Sequence, residues 1–81
     1  MDDRDLMTRI NELALEEEQL WSRASQEGGL DAAEQERLHQ IQLALDQSYD
    51  LLNQRRARRS AGLNPDEAHV RPIDIVENYE Q

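Results

Sequence analysis

Residues 30–62 read LDAAEQERLHQIQLALDQSYDLLNQRRARRSAG, and this stretch contains both a helix start signal and a helix stop signal. Asp31 is a typical N-cap residue, and Glu34 completes an acidic capping box in which each side chain accepts a hydrogen bond from a free amide of the first turn. Gly62 is the residue type that often ends a helix in the left-handed conformation. We therefore predict one long helix over residues 31–61.

The apolar residues of this helix recur at alternating spacings of three and four, which is typical of one buried stripe. The stripe runs from Leu38 to Leu52, with Ser48 at one of its positions. Cations in the last turns suit the negative end of the helix dipole. The basic residues of those turns are Arg55, Arg56, Arg58 and Arg59.

The segment before this helix has a matching apolar series, once Glu17 is allowed to occupy one of its positions. Gly28 and Gly29 interrupt the pattern, because paired glycines lower helix stability and allow the positive φ angles of a tight reversal. We predict a first helix over residues 3–26 and a turn over residues 27–30.

A turn this short makes the two helices antiparallel neighbours. With the turn centred near Gly29, facing residues have numbers that add to about 58. This rule places Leu13 opposite Leu45 and Asp3 opposite Arg55. We therefore predict an all-α fold whose main element is a coiled-coil-like antiparallel hairpin.

The hairpin occupies residues 1–62, and residues 63–81 form a C-terminal tail that contains both prolines of the chain. Asn64 can cap a helix and Pro65 suits its first position, so a short helical turn is predicted there. The residue before the second proline is biased towards extended backbone. A second short helix is then predicted from the three-residue spacing of Ile73, Val76 and Tyr79. The apolar content of the tail is too high for a solvated linker, so we expect it to dock on its own hairpin or on a partner.

The size of the chain favours self-association. It has 81 residues and no cysteine. A domain this short buries only roughly 60 % of its unfolded surface, and without disulfides oligomerisation is the common remaining source of stability. We expect a homodimer that forms a four-helix bundle. The candidate interface residues are Met7, Trp21, Tyr49 and Leu51.

The formal net charge of −9 argues against general binding to nucleic acid or to an anionic membrane. No apolar run approaches the roughly 20 residues of a membrane span, and the acidic first residues are the reverse of a signal-peptide start. We expect a cytoplasmic protein that does not associate with membranes.

No catalytic machinery is visible in the sequence. No serine is paired with a histidine at helical spacing, and no glycine-rich phosphate loop follows a strand. Glu36 and His39 have the Glu-x-x-His spacing of di-iron bundle proteins, but Leu38 faces the first helix and so turns both residues outward. We expect no enzymatic activity, no cofactor and no metal, and a ferritin-like metal-binding assembly remains a third hypothesis.

Two interpretations of the arginine cluster remain open. In the first, its arginines pair with the N-terminal aspartates that the antiparallel register places beside them. In the second, they bind an anionic nucleotide, another phosphate ligand or an acidic partner. The residues of this candidate binding surface are Arg55, Arg56, Arg58, Arg59, Arg71 and Tyr79.

Residues 45–58, LDQSYDLLNQRRAR, residues 64–68, NPDEA, and the Pro-marked tail after Arg71 resemble the short actinobacterial proteins grouped as domain of unknown function 2630. The likeness covers nearly the whole chain, and its most specific parts are the run LDQ-x-x-DLL-x-QRRARR and the tail. The resemblance implies an actinobacterial cytoplasmic protein and no assigned activity. The resemblance supplies no mechanism. From the residues we predict a non-enzymatic protein–protein interaction or regulatory module, whose arginine-rich helix end and C-terminal tail engage an unidentified protein partner.

Overall fold

The computed structural model describes residues 2–78, and every regular element in this part of the chain is helical. These elements are α1 (Asp3–Glu27), α2 (Ala32–Ser60), a 3-10 turn (Pro65–Glu67) and α3 (Ile73–Asn78). The prediction of an all-α fold with two long helices is confirmed.

The two ends of α1 follow from its capping residues. Asp2 has an extended backbone and is the N-cap, because its Oδ1 accepts a hydrogen bond of 2.8 Å from the amide of Asp5. Gly28 and Gly29 follow the helix with φ angles of 80° and 130°, which only glycine adopts readily. The glycine pair therefore ends α1 and starts the turn to α2.

The start of α2 is the capping box that the sequence indicates. The amide of Glu34 donates to Asp31 Oδ1 over 2.8 Å, and the amide of Asp31 donates to Glu34 Oε1 over 3.1 Å. At the other end, the amide of Leu63 donates to the carbonyl of Arg58 over 2.7 Å, and Gly62 has a φ of 74°. This is the pattern of a Schellman motif, so both ends of α2 are set by local sequence.

The core lies between α1 and α2, which run antiparallel. Near the turn Arg23 pairs with Glu34, and at the open end of the hairpin Arg55 pairs with Asp3, its predicted partner. Ser48 fits this apolar seam because its hydroxyl donates to the carbonyl of Ala44, one turn earlier. The buried apolar residues are Leu6, Ile10, Leu13 and Leu20 on α1, and Leu38, Ile41, Leu45, Leu51 and Leu52 on α2.

The C-terminal tail docks on its own hairpin. The 3-10 turn and α3 both contact α2, and Ala68 packs against the edge of the core. Between them the chain follows the side of α2 that carries Gln47 and Gln54, which donate hydrogen bonds to carbonyls of the tail. The tail therefore covers one side of α2.

Leu51 corrects one expectation from the sequence. It was predicted to lie in a dimer interface, but it is only 8 % exposed and belongs to the core of the single chain. Helical periodicity places Leu51 between the seam with α1 and the side that the tail covers. Periodicity alone does not distinguish a covered side from an open one, which is why Leu51 was assigned to the surface.

Candidate functional site

Arg55 connects three elements at the open end of the hairpin. Its Nε donates to Asp3 Oδ1 over 2.6 Å, and its Nη1 donates to Asp66 Oδ1 and to the carbonyl of Pro65 over 3.0 and 3.2 Å. Arg55 is only 5 % exposed. A buried guanidinium is tolerated when its donors are paired in this way. Arg55 therefore acts as an internal connector between α1, α2 and the 3-10 turn.

Arg58 and Arg59 also contact groups of the same chain. Arg58 donates from Nε to the carbonyl of Asn64 and from Nη2 to Glu67 Oε2, each over 2.6 Å. Arg59 Nη2 lies 2.9 Å from Asp3 Oδ2. The hydrogen bonds from Arg55 and Arg59 hold the pKa of the Asp3 carboxyl below its usual value. The arginine cluster thus fixes the tail and the start of α1 to the end of α2.

Arg56 differs from its neighbours in the cluster. It is exposed, and no ion pair of Arg56 occurs among the described side chains. Of the N-terminal aspartates, Asp3 forms the ion pairs with Arg55 and Arg59, whereas Asp2 is the N-cap of α1. The structure thus supports the internal interpretation for three of the four clustered arginines and leaves Arg56 facing solvent.

The structure does not gather the whole predicted binding surface at one place. Arg71 contacts the middle of α2. Two of its guanidinium nitrogens, Nε and Nη2, donate to the carboxylate of Asp50. Tyr79 lies outside the described residues. The six residues grouped from the sequence therefore include an internal connector at the end of α2 and a separate anchor in its middle.

A site that sequence analysis did not identify lies under this anchor. Gln47, Asp50 and Gln54 share one face of α2, and we call them the α2 triad. Asp50 Oδ2 accepts hydrogen bonds from Arg71 Nε over 2.9 Å and from Gln54 Nε2 over 2.8 Å. The Asp50 side chain is only 9 % exposed, and its bond with Arg71 lowers the pKa of its carboxyl.

The α2 triad also binds the main chain of the tail. Gln54 Nε2 donates to the carbonyl of His69 over 2.8 Å, and Gln47 Nε2 donates to the carbonyl of Arg71 over 3.2 Å. The carbonyls of His69 and Arg71, two residues apart, therefore both face α2. A sequence signal existed, because the triad lies within the LDQ-x-x-DLL-x-QRRARR run at spacings of three and four. The tail segment that fills it, residues 69–71, was not predictable from that run.

The opposite side of the hairpin exposes large apolar residues. Gln42 and Tyr49 are seven residues apart and therefore share a face of α2. At about 100° per residue, Tyr49 is rotated by about 200° around the helix axis from Gln47. Met7 and Trp21 likewise share a face of α1, at a spacing of two heptads. Met7, Trp21 and Tyr49 are 37 %, 52 % and 50 % exposed. We call the surface that carries these three residues the open side.

A groove of about 320 Å³ lies on the open side, at the end of the hairpin near the turn. Its walls come from both helices and from the turn between them. None of its lining residues is an acid or an arginine, although the chain as a whole is strongly acidic. The lining residues are Trp21, Ala24, Gly29, Leu30, Gln35, Leu38, His39 and Gln42.

Glu36 and His39, the Glu-x-x-His pair of α2, have different surroundings in the structure. Glu36 Oε1 accepts a long hydrogen bond of 3.4 Å from Gln40 Nε2, while His39 lines the groove. Within residues 2–78, no three side chains of His, Asp or Glu are placed to hold a metal ion together. None of the described helices combines the length and the apolar character that crossing a membrane requires.

These features define a class of small all-helical protein, in which two long helices form the core and a short C-terminal segment docks on one of them. The chain belongs to the family described as protein of unknown function (DUF2630), whose sequence profile matches residues 2–81. The resemblance seen in residues 45–58 and 64–68 is thereby confirmed.

Relatives of this chain occur in mycobacteria. Uncharacterised proteins of Mycobacterium bovis and of two strains of Mycobacterium tuberculosis are 43 % identical to it over 77 residues. The matched region is 95 % of this chain and 88 % of each relative. No solved structure matches the chain.

Proposed function

We propose that this protein is a non-enzymatic protein-binding module and that the open side is its binding surface. The observation that carries the proposal is the exposure of Met7, Trp21 and Tyr49. Their helical spacing places all three on the same side of the hairpin. Isolated exposed apolar residues are common, but a grouped set with two aromatic members is typical of an interface. The opposite side is already covered by the tail.

The first partner that we propose is a second copy of the chain. The groove lining carries no carboxylate, so two acidic molecules can approach there without direct repulsion between acidic groups. A two-fold contact places the same patch of each copy against the other, which brings each Trp21 towards the partner's surface. Two hairpins joined in this way form a four-helix bundle.

The oligomeric state tests this proposal directly. We expect sedimentation or light scattering to give the mass of a dimer for the wild-type protein at tens of micromolar, and of a monomer for Trp21→Glu. Val70→Glu is the matched control, because Val70 is 61 % exposed but lies in the tail. It should remain dimeric. A monomeric wild-type protein at 100 μM would remove the homodimer from the proposal.

Binding to a different protein is tested in the host. The tagged chain is recovered after mild crosslinking, and Trp21→Glu and Val70→Glu are recovered in parallel. We expect partners to be lost with the Trp21 variant and retained with the Val70 variant. Partners that bind all three forms equally would contradict the assignment of the open side. The cytoplasmic location expected from the sequence stays a prediction, which fractionation of host cells tests.

The phosphate-ligand hypothesis has less support from the geometry. Arg55, Arg58 and Arg59 already donate to carboxylates or carbonyls of the same chain. A ligand would have to displace these contacts before it gained any of its own. We therefore expect a panel of mono-, di- and cyclic nucleotides at millimolar concentration to leave the thermal midpoint unchanged, whereas a true ligand would raise it.

A further inference from the structure

We propose that the α2 triad is a recognition site for an extended peptide that contains an arginine, and that residues 69–71 of this chain occupy it as an internal ligand. The site lies on the covered side of α2. It is therefore separate from the open side and extends beyond the proposed function.

The first argument is the way in which residues 69–71 are held. Gln54 and Gln47 donate to the carbonyls of His69 and Arg71, at 2.8 and 3.2 Å. Contacts with carbonyls do not depend on the identity of the side chain, so any extended backbone can make them. His69 and Val70 are exposed. The segment is therefore held through main-chain carbonyls, and other residue types can replace His69 and Val70.

The second argument is the side-chain specificity of Asp50. This carboxylate is 9 % exposed and accepts Nε and Nη2 of Arg71 together. The planar fork of an arginine matches a carboxylate in this arrangement, whereas a lysine offers a single point charge. Gln54 donates to the same carboxylate and so fixes its position. The site therefore selects arginine at the position of Arg71, whereas the two preceding positions accept any side chain.

The third argument is the identity of the present occupant. Residues 69–71 belong to the tail, which reaches α2 after the chain has left it at Ser60. A partner with the same chemistry can take their place, because α2 contributes only the side chains of the triad to these contacts. The apparent affinity for such a peptide is multiplied by the fraction of molecules in which residues 69–71 have left the site. The tail thus acts as a built-in competitor.

The test uses the full chain and a fluorescent peptide of sequence AHVRPID, which copies residues 68–74. Binding is measured by anisotropy with wild-type protein and with Arg71→Gln, after circular dichroism has shown that both are folded. We expect Arg71→Gln to bind the peptide at least about ten-fold more tightly, because its internal competitor is weakened. Arg56→Gln is the matched control, since Arg56 is exposed on the same helix and outside the site. It should bind as the wild type does.

A second peptide, AHVQPID, tests the role of the arginine. We expect its binding to Arg71→Gln to be at least about ten-fold weaker, the usual scale for a lost charge-assisted pair. Equal binding of both peptides, or equal binding of AHVRPID by wild type and Arg71→Gln, would overturn the proposal. Loss of self-association on adding AHVRPID would also overturn it, by identifying the occupant as the segment of a second copy.

If Arg71→Gln does not fold, the wild-type protein provides the same comparison by NMR. Excess AHVRPID should shift the side-chain amide resonances of Gln47 and Gln54, whereas AHVQPID should not. Unchanged resonances with both peptides would overturn the proposal. Trp21→Glu separates this test from that of the proposed function, because it alters the open side and should leave peptide binding unchanged.

Discussion

Arg55 shows how one side chain can determine the tertiary structure at the end of a hairpin. A position in the apolar seam is filled by a guanidinium that is 5 % exposed. Its donors reach Asp3 at the start of α1 and Asp66 in the 3-10 turn. The side chains of Asp3 and Asp66 are 32 % and 72 % exposed, so both carboxylates remain partly hydrated. Arg55 is therefore a structural cation.

Replacement of Arg55 by methionine should destabilise the protein. Methionine keeps an unbranched apolar stem but is shorter and removes every donor, so Asp3, Asp66 and the carbonyl of Pro65 lose their shared partner. We expect the free energy of unfolding in urea to fall by about 1–3 kcal/mol. Arg56→Met is the control, with an expected change within about 0.5 kcal/mol, as for most surface substitutions. Equal effects of the two variants would contradict the connecting role of Arg55.

Asp3 and Asp50 make the stability depend on pH. Both carboxyls have pKa values lowered in the folded protein, mainly by hydrogen bonds from Arg55 and Arg71 respectively. The unfolded state therefore binds more protons as the pH falls through its carboxyl pKa of about 4. Their contribution is complete above about pH 5 and is lost as the pH falls through the lower folded pKa values.

Urea unfolding at pH 7 and pH 3 measures this effect. We expect the wild-type free energy of unfolding to be lower at pH 3. In Asp50→Asn the difference between the two pH values should be smaller, because an amide does not titrate. An identical difference in both proteins would show that the Asp50–Arg71 pair contributes nothing to the pH dependence.

The two ends of α2 show which helix boundaries local sequence can specify. Its start follows from Asp31 and Glu34, whose reciprocal bonds need only residues three apart. Its end follows from Gly62, which has a φ of 74°. Both signals are confined to a few neighbouring residues, so they were predictable without knowledge of the tertiary fold.

Gly62→Ala tests the end of α2. A Cβ added at Gly62 would meet no other atom within 4 Å, so the effect of the substitution comes from the backbone alone. We expect a loss of about 1–2 kcal/mol, the typical cost of a left-handed conformation for a residue with a Cβ. Thermal unfolding measures the change, with Ser60→Ala as the nearby control. A midpoint like that of the control would mean that the chain can leave α2 by another route.

The docking of the tail was not predictable in the same way. Apolar periodicity identified α1, α2 and the seam between them, because burial between two helices leaves a regular pattern. The tail instead binds α2 through Gln47, Asp50 and Gln54, which are polar and look like ordinary surface residues. Because the sequence does not show that the tail covers this side of α2, Leu51 was expected in a dimer interface, whereas it is buried in the single chain. Only a chain folded in three dimensions brings Arg71 to Asp50, at a sequence separation of 21 residues.

The two sides of the hairpin differ in what covers them. The tail covers one side with hydrogen bonds and ion pairs of the same chain. The other side carries Met7, Trp21 and Tyr49, together with a groove whose lining contains no acidic residue. Two copies of an acidic protein repel each other least where the contacting surfaces carry no carboxylates. This asymmetry favours self-association through the open side.

Trp21 provides an internal reporter of that association, because it is the single tryptophan of the chain. In the monomer its side chain is half exposed, whereas a two-fold contact through the open side would bury it. We expect its fluorescence emission to shift to shorter wavelength as the protein is concentrated, with the midpoint at which sedimentation shows the mass doubling. Met7→Glu places a charge on the same side, so its emission should stay at long wavelength at all concentrations. If the mass doubled without a change in emission, the interface would lie away from Trp21 and the open side would not be the dimer surface.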